Sequence, residues 1–311
     1  MTPNEPVIWI DGRLVPSSQV AVPFLAPALH YGLAVFEGIR CYDTKDGPAV
    51  LRLAEHLERF LKSAHILGVR EFSYGLETLR EAVHAVIRAN DLRACYIRPL
   101  MYMAAGPLGL NLDEMRPSVG IAAWEWETFL GQEAIEKGAR MIVSSFTRHH
   151  PNVSMTKAKI SGNYVNSVMA KTLACRAGFD EAVMLDPSGY VSECTGENIF
   201  LVSGGRVYTP PRASILEGIT RDSIIALAQD LGYAVLEEPI SRDQLYAADE
   251  VFVSGTAAEC VAICEIDHRV IGEGGMGPIT REIQQAFFMT VRGEGPRSQA
   301  WLEPVAAPPT R

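Results

Sequence analysis

Apolar positions along the first 124 residues follow two spacings in turn. Val7–Ile10 and Arg13–Val15 flank an Asp11-Gly12 turn and read as paired strands. Leu53, Leu57, Phe60, Leu61 and Ala64 then recur at helical spacing as far as Gly68, and Leu79, Val83, Val86 and Ile87 mark a second amphipathic helix. Tyr96–Met103 and Val119–Trp124 return to strand pattern. The polar stretch that follows predicts an inter-domain linker at 127–137, between a smaller domain of residues 1–126 and a larger one of 138–311. In that larger part, strands at Met141–Phe146, Ala182–Leu185, Asn198–Val202 and Val251–Val253 mix with helices at Val165–Ala177, Arg221–Leu231 and Ile279–Phe288. Turn residues stand at Pro187-Ser188-Gly189 and Gly204-Gly205. Strands and helices do not alternate regularly, so the pattern predicts an α+β fold rather than a doubly wound sheet. The tail beyond Gly293, rich in Pro, Gly and Ala, is expected to be poorly ordered at its end.

Composition narrows the function classes. The chain has 311 residues, 48% of them hydrophobic and 21% charged, which is ordinary globular composition. A net charge of −9 argues against a nucleic-acid partner, because phosphate backbones are held by clustered Lys and Arg. No apolar run approaches the ~18 residues of a membrane span, and the N-terminus lacks a basic region followed by an apolar one. The expected location is cytoplasmic. Cys41, Cys95, Cys175, Cys194, Cys260 and Cys264 are scattered and read as reduced thiols. Cys260 and Cys264 lack the second Cys/His pair of a zinc site. His149 and His150 point to opposite faces of an extended chain, so they read as an exposed loop and no metal is expected.

Lysine is scarce: six of the 28 basic residues. Lys45, Lys62, Lys137 and Lys171 have the setting of solvated surface. Lys157 and Lys159 remain, in Met155-Thr156-Lys157-Ala158-Lys159-Ile160-Ser161-Gly162-Asn163-Tyr164. Among small and apolar residues a lysine can act as an amine nucleophile; two ordinary exposed lysines on a strand fit the pattern as well. The segment Leu216-Glu217-Gly218-Ile219-Thr220-Arg221 precedes a helix with Thr220 as its expected N-cap, a setting that suits a phosphate or a plain capped helix. Ser254-Gly255-Thr256-Ala257-Ala258 follows a strand and offers bare N–H groups, either an anion nest or an ordinary turn. Glu193 and Glu197 are either solvated acids on a hairpin or include a carboxylate that pairs with a protonated ring nitrogen.

Six segments then stand in order: His30–Arg40, Tyr96-Ile97-Arg98-Pro99-Leu100, Lys159–Tyr164, Ser192-Glu193-Cys194-Thr195-Gly196-Glu197-Asn198, Gly218–Arg221 and Ser254–Glu259. Together they closely resemble the branched-chain amino-acid aminotransferases of the class IV (fold-type IV) pyridoxal 5'-phosphate (PLP) enzymes, from about Val7 to about Phe288. The resemblance implies that family's two-domain α+β architecture, with PLP between the domains. It implies that Lys159 carries the cofactor and moves a proton, a choice over Lys157 that rests on the motif alone. Tyr164 would bond the phenolic oxygen and Glu193 the pyridine nitrogen. Arg59, Ile219, Thr220 and Thr256 would hold the phosphate. Ala257 and Ala258 would bind the substrate α-carboxylate. Phe36, Gly38, Tyr31, Trp126 and Tyr96 would shape the side-chain pocket, and Arg98 with Tyr31 would receive the distal carboxylate of glutamate.

The implied reaction exchanges amino groups between leucine, isoleucine or valine and 2-oxoglutarate. The implied assembly is at least a homodimer, with Tyr31 and the 106–110 loop reaching the neighbour's pocket. Ile160, Ser161, Cys194, Thr195 and Phe129 depart from the family pattern and affect pocket detail. D-amino-acid aminotransferases, (R)-amine transaminases and aminodeoxychorismate lyases share the fold and the lysine, and a metal or binding protein built on His149, His150, Cys260 and Cys264 is the alternative of another class.

Overall fold

The computed structural model describes residues 5–70, 72–126 and 130–305. The chain divides into two compact units: 1–126 with 158–163 and 290–311, and 127–157 with 164–289. This departs from the domains expected of the sequence, because the Lys159 segment and the C-terminal residues belong to the first unit. Phe129 lies outside the described residues.

The first unit contains strands β1 (Val7–Ile10), β2 (Arg13–Pro16), β3 (Ala34–Phe36), β4 (Ile39–Thr44), β5 (Gly47–Leu51), β6 (Cys95–Ala105) and β7 (Arg116–Trp124), with helices α1 (Pro27–Tyr31), α2 (Leu53–Leu67) and α3 (Leu76–Ala89). The strands pair antiparallel in the order β5-β4-β6-β7-β1-β2, with β3 alongside β6. Leu53, Leu57, Phe60 and Ala64 of α2 and Leu79, Val83 and Ile87 of α3 join Ile39, Ile97, Met101 and Ile121 in one core. Burying each large side chain contributes about 1.5–3 kcal/mol. Gly68 ends α2 at φ +100°, donating its N–H to the Ala64 and His65 carbonyls. That left-handed backbone suits glycine.

The second unit contains α4 (Gln132–Lys137), β8 (Ala139–Val143), α5 (Tyr164–Arg176), β9 (Glu181–Leu185), β10 (Val191–Cys194), β11 (Asn198–Ser203), β12 (Arg206–Thr209), α6 (Ile219–Asp230), β13 (Val235–Glu237), α7 (Arg242–Tyr246), β14 (Glu250–Gly255), β15 (Glu259–Ile266), β16 (Arg269–Val270) and most of α8 (Pro278–Val291). The stretch expected as a linker thus includes the short helix α4. The sheet runs β10-β9-β8-β15-β14-β11-β12-β13, with β16 on β15. β8 is parallel to both neighbours and β12 to β13; the other pairs are antiparallel. This mixed sheet agrees with the predicted class, and its core is built from Val183, Ile199, Leu201, Val251, Val253 and Ile263.

The end of the tail, residues 306–311, lies outside the described residues. Helix α9 (Ser298–Trp301) and strand β17 (Leu302–Pro304) follow Gly293, and β17 pairs antiparallel with β5, Leu302 opposite Leu51. Backbone pairing outweighs a weak local preference once a sheet edge is in reach. Among the described residues, no helix is long and apolar enough to cross a membrane.

Candidate active site

In the first unit, Lys159 is seated by its backbone. Its N–H donates to Ser63 Oγ at 3.0 Å and its carbonyl accepts from the Phe36 N–H at 3.0 Å. Val35 and Ile160 form a bridge one residue on. Gly162 donates to the Gly32 carbonyl, and a Cβ on Gly32 would lie 2.9 Å from Gly162 Cα, so the two glycines permit this approach. The Lys159 ammonium lies 5.0 Å from the Phe36 ring centroid.

His56, Arg59 and Ser63 share one face of α2. Arg59 donates from Nε and Nη2 to the two oxygens of Glu37 at 2.7 and 2.8 Å, and His56 Nδ1 is 2.9 Å from Glu37 Oε2. Glu37 is fully buried. Burial pushes its carboxyl up, but Arg59 and His56 outweigh that and hold it well below the carboxylate range. Burial pulls the His56 imidazole down against the opposing effect of Glu37, and Arg59 and Lys159 act in the same direction as burial. A bidentate carboxylate of this kind fixes where a guanidinium points. Neither Glu37 nor His56 was singled out by the sequence pattern, although Glu37 lies inside the His30–Arg40 segment.

Around Arg98 stand aromatic rings. Its guanidinium is 4.7 Å from the Phe36 centroid, 5.3 Å from Tyr96 and 6.0 Å from Trp124. Nη2 donates to Tyr96 Oη at 3.2 Å, while the buried Nε makes no hydrogen bond. Trp126 meets Tyr96 edge-on at 4.6 Å and stacks near Trp124 at 5.9 Å. Gly38 is required here: a Cβ would come within 2.0 Å of Tyr96 Oη. Tyr31 stands apart from this cage, exposed, its hydroxyl donating to the Leu108 carbonyl at 2.9 Å.

The second unit organises a different set of groups around Glu193. The side chain is buried, not a solvated hairpin acid. Oε2 accepts from the Leu216 N–H at 3.0 Å and from Asn198 Nδ2 at 3.3 Å. Oε1 lies 2.6 Å from Arg148 Nη2, an ion pair out of hydrogen-bond alignment, so that oxygen keeps an acceptor position that no hydrogen bond fills. A buried carboxylate needs such a cation. Arg148 also reaches Ser167 Oγ of α5 at 3.2 Å, three residues beyond Tyr164, which opens that helix. Arg148 was missed because its partner is distant in sequence. The neighbouring histidines separate: His150 is exposed, but His149 is half-buried, its imidazole lowered to about 4 by burial and by Arg148.

Helix α6 begins at Ile219 with Gly218, not Thr220, as its N-cap. A Cβ on Gly218 would meet Asn198 Oδ1 at 2.0 Å, so glycine lets this helix end approach the Asn198 side chain, which itself donates to Glu193. Ile219 and Thr220 lie in the first turn, where backbone N–H groups have no partner within the helix. Thr256, Ala257 and Ala258 form the turn between β14 and β15, and Gly255 sits close to Gly196 and Glu197. Glu197 is buried as well; burial and the neighbouring Glu181 push its carboxyl up, against Lys171. Lys171 pairs with the fully buried Glu181 at 2.8 Å and is not the solvated surface residue its helix position suggested. Lys157 is likewise engaged, bonded to the carbonyls of Arg212 and Ile215. Among the described residues, no group of three or more His, Cys, Asp and Glu is placed to hold a metal ion.

The first unit thus offers a seated lysine and a clamped arginine, and the second a buried carboxylate with an open acceptor position. The family described as amino-transferase class IV matches residues 34–266, and the chain belongs to it. It is 44% identical over 301 residues to the branched-chain-amino-acid aminotransferase of Pseudomonas aeruginosa, covering 97% of this chain and 98% of that protein. Two crystal structures of the T.th. branched-chain amino acid aminotransferase superpose with a TM-score of 0.92, each covering 97% of this chain and 99% of the other. One, 47% identical, is complexed with N-(5'-phosphopyridoxyl)-L-glutamate. The other, 46% identical, is complexed with 4-methylvaleric acid.

Proposed function

We propose that the chain exchanges amino groups between L-leucine, L-isoleucine or L-valine and 2-oxoglutarate, with pyridoxal 5'-phosphate as cofactor, giving branched-chain 2-oxo acids and L-glutamate. The observation that carries this reading is the Arg98 cage. Aromatic walls suit an aliphatic side chain, and a guanidinium with an unfilled buried N–H suits a carboxylate. The relatives' complexes with a phosphopyridoxyl-glutamate and with a branched aliphatic acid support the same pair of ligands.

The residues present fit the cofactor. The unfilled acceptor position on Glu193 Oε1 suits a protonated ring nitrogen, and the Gly218 approach brings the head of α6, where a phosphate is favoured, beside Asn198, a hydrogen-bond partner of Glu193. When bound, the cofactor supplies an electron-withdrawing ring that takes up the electron pair left when the substrate Cα–H bond breaks. Lys159 would hold it covalently until the incoming substrate amine displaces the lysine, and the freed Nζ would then take and return the α-proton. Glu193, steadied by Arg148, Asn198 and the Leu216 N–H, keeps the ring nitrogen protonated. Tyr164 bonds the phenolic oxygen. Arg59, aimed by Glu37 and His56, binds the phosphate together with Ile219, Thr220 and Thr256. The N–H groups of Ala257 and Ala258 bind the α-carboxylate. Phe36, Gly38, Tyr96 and Trp126, with Tyr31 of a neighbouring copy, line the side-chain pocket. The enzyme works in the cytoplasm as at least a homodimer.

Arg98→Met tests the reading, because it keeps an unbranched stem and removes the charged donor. A charge-assisted hydrogen bond is worth roughly 1.5–3 kcal/mol, so kcat/KM for 2-oxoglutarate should fall about ten- to a hundredfold. The leucine half-reaction should change much less. Single-turnover spectra of each half-reaction measure this. Equal losses for both would remove the dual-recognition role from Arg98.

A further inference from the structure

Lys157 lies two residues before Lys159, and the aminotransferase reading gives it no task. Its surroundings are specific. The ammonium donates to the Arg212 carbonyl and, at 3.0 Å, to the Ile215 carbonyl, and it lies 3.6 Å from Glu217 Oε1. All three acceptors belong to one stretch, 212–217, that joins β12 to α6 beyond the Pro210-Pro211 pair. The same stretch is also held by Ser192 and Glu193 of β10 and by Asn198 of β11. Ser192 Oγ donates to the Ser214 carbonyl at 2.7 Å, Asn198 Nδ2 to the Leu216 carbonyl at 3.1 Å, and the Leu216 N–H to Glu193 Oε2 at 3.0 Å. Lys157 thus grips residues 212, 215 and 217, while 214 is held by Ser192 and 216 by Asn198 and Glu193.

A stretch outside any sheet ladder or α-helix meets its backbone hydrogen-bonding needs through such side-chain contacts. Several oxygens converging on one point suit an ammonium with three rotatable donors better than a planar guanidinium fork. Removing the ammonium releases one side of the stretch and lets the Leu216 N–H move relative to Glu193.

We propose that Lys157 is a positioning residue: by clamping 212–217 it keeps the Leu216 N–H on Glu193 Oε2 and so fixes how Glu193 presents its other oxygen to the cofactor ring nitrogen. This rests on the reading of Glu193 given under the proposed function.

The test uses apoenzyme titrated with pyridoxamine 5'-phosphate, which carries an amine in place of the aldehyde and cannot bond covalently to Lys159. Lys157→Met should raise its Kd about tenfold, the loss of roughly one charge-assisted hydrogen bond. The ring nitrogen of the bound ligand, followed by its ultraviolet spectrum, should lose its proton at a lower pH than in the unaltered protein. Lys157→Gln, which retains a donor, should fall between the two. Lys137→Met, a change at an exposed lysine, should alter neither quantity. Unchanged ring-nitrogen titration in Lys157→Met, with or without an affinity loss, overturns the inference and leaves Lys157 a structural residue. If Lys157→Met does not fold, the same titration of Lys157→Gln decides. Failure of the unaltered apoenzyme to bind the ligand would remove the cofactor reading itself, and this inference with it.

Discussion

Lys157 and Lys159 are nearly adjacent, yet their surroundings differ. The ammonium of Lys157 is spent on backbone carbonyls. Lys159 has its backbone pinned by Ser63 and Phe36, while its ammonium lies near an aromatic face that attracts a cation. A nucleophilic amine benefits from such a fixed origin, because its reach toward the reacting carbon is then set in advance. Borohydride reduction of the holoenzyme followed by peptide mapping should therefore label Lys159, and a label on Lys157 or Lys171 would reassign the role. Lys159→Ala should still bind the cofactor through the phosphate contacts. Its turnover should fall by more than the roughly 10²–10⁴-fold that a proton-transfer group alone provides, because nucleophile and proton carrier are lost together.

Among the elements, β17 shows how a short strand is secured. Three residues pair with β5, and between Leu302 and Pro304 the Glu303 carboxylate receives Arg80 Nε and Nη2 at 2.6 and 2.7 Å, with His84 Nε2 at 3.0 Å. Burial pushes the Glu303 carboxyl up, but His84 and Arg80 outweigh it and hold the group at about 2 instead of 4.5. Because the folded value is depressed, the stabilisation is fully present above about pH 4.5 and is lost as pH falls toward 2. After screening at a partly exposed site it amounts to about 1–2 kcal/mol. Glu303→Gln should be less stable than the unaltered protein at neutral pH by that amount, and the gap should narrow as pH falls below about 4.5. Denaturant unfolding of both proteins across that range measures it. A gap that stays constant with pH would mean that the carboxylate charge contributes nothing to securing this strand.

For the whole molecule, the informative feature is apolar surface left in water. Phe24 is 80% exposed and Leu110 88%, with Leu25, Leu29 and Leu108 also exposed in the same unit. Tyr31 ties helix α1 to the Leu108 loop, so the two stretches that carry these side chains are joined. Monomeric proteins rarely leave contiguous apolar patches of more than a few hundred Å² uncovered. The homodimer proposed above would cover this surface and bring Tyr31 to its neighbour. Phe24→Asp combined with Leu110→Asp should halve the mass found by sedimentation equilibrium and lower activity, since each site would lack its neighbour's tyrosine. An unaltered protein that sediments as a monomer at micromolar concentration would remove the dimer.

Periodicity alone located several of the elements. α2, α3, β1, β6 and β7 stand where apolar spacing placed them, because helical and strand periods are properties of the local backbone. The six ordered segments were likewise enough to point to the family that residues 34–266 match. What the sequence left open was the choice between solvated and buried charge. Glu193, Lys157 and Lys171 each had an exposed reading that tertiary structure replaced, by bringing Arg148, the 212–217 carbonyls and Glu181 to them. β17 became a strand because β5 offered it an edge, and Arg80 met Glu303 from 223 positions away. The physical reason is the same in each case: a buried charge is satisfied by whatever stands beside it in space, and chain separation does not enter that energy.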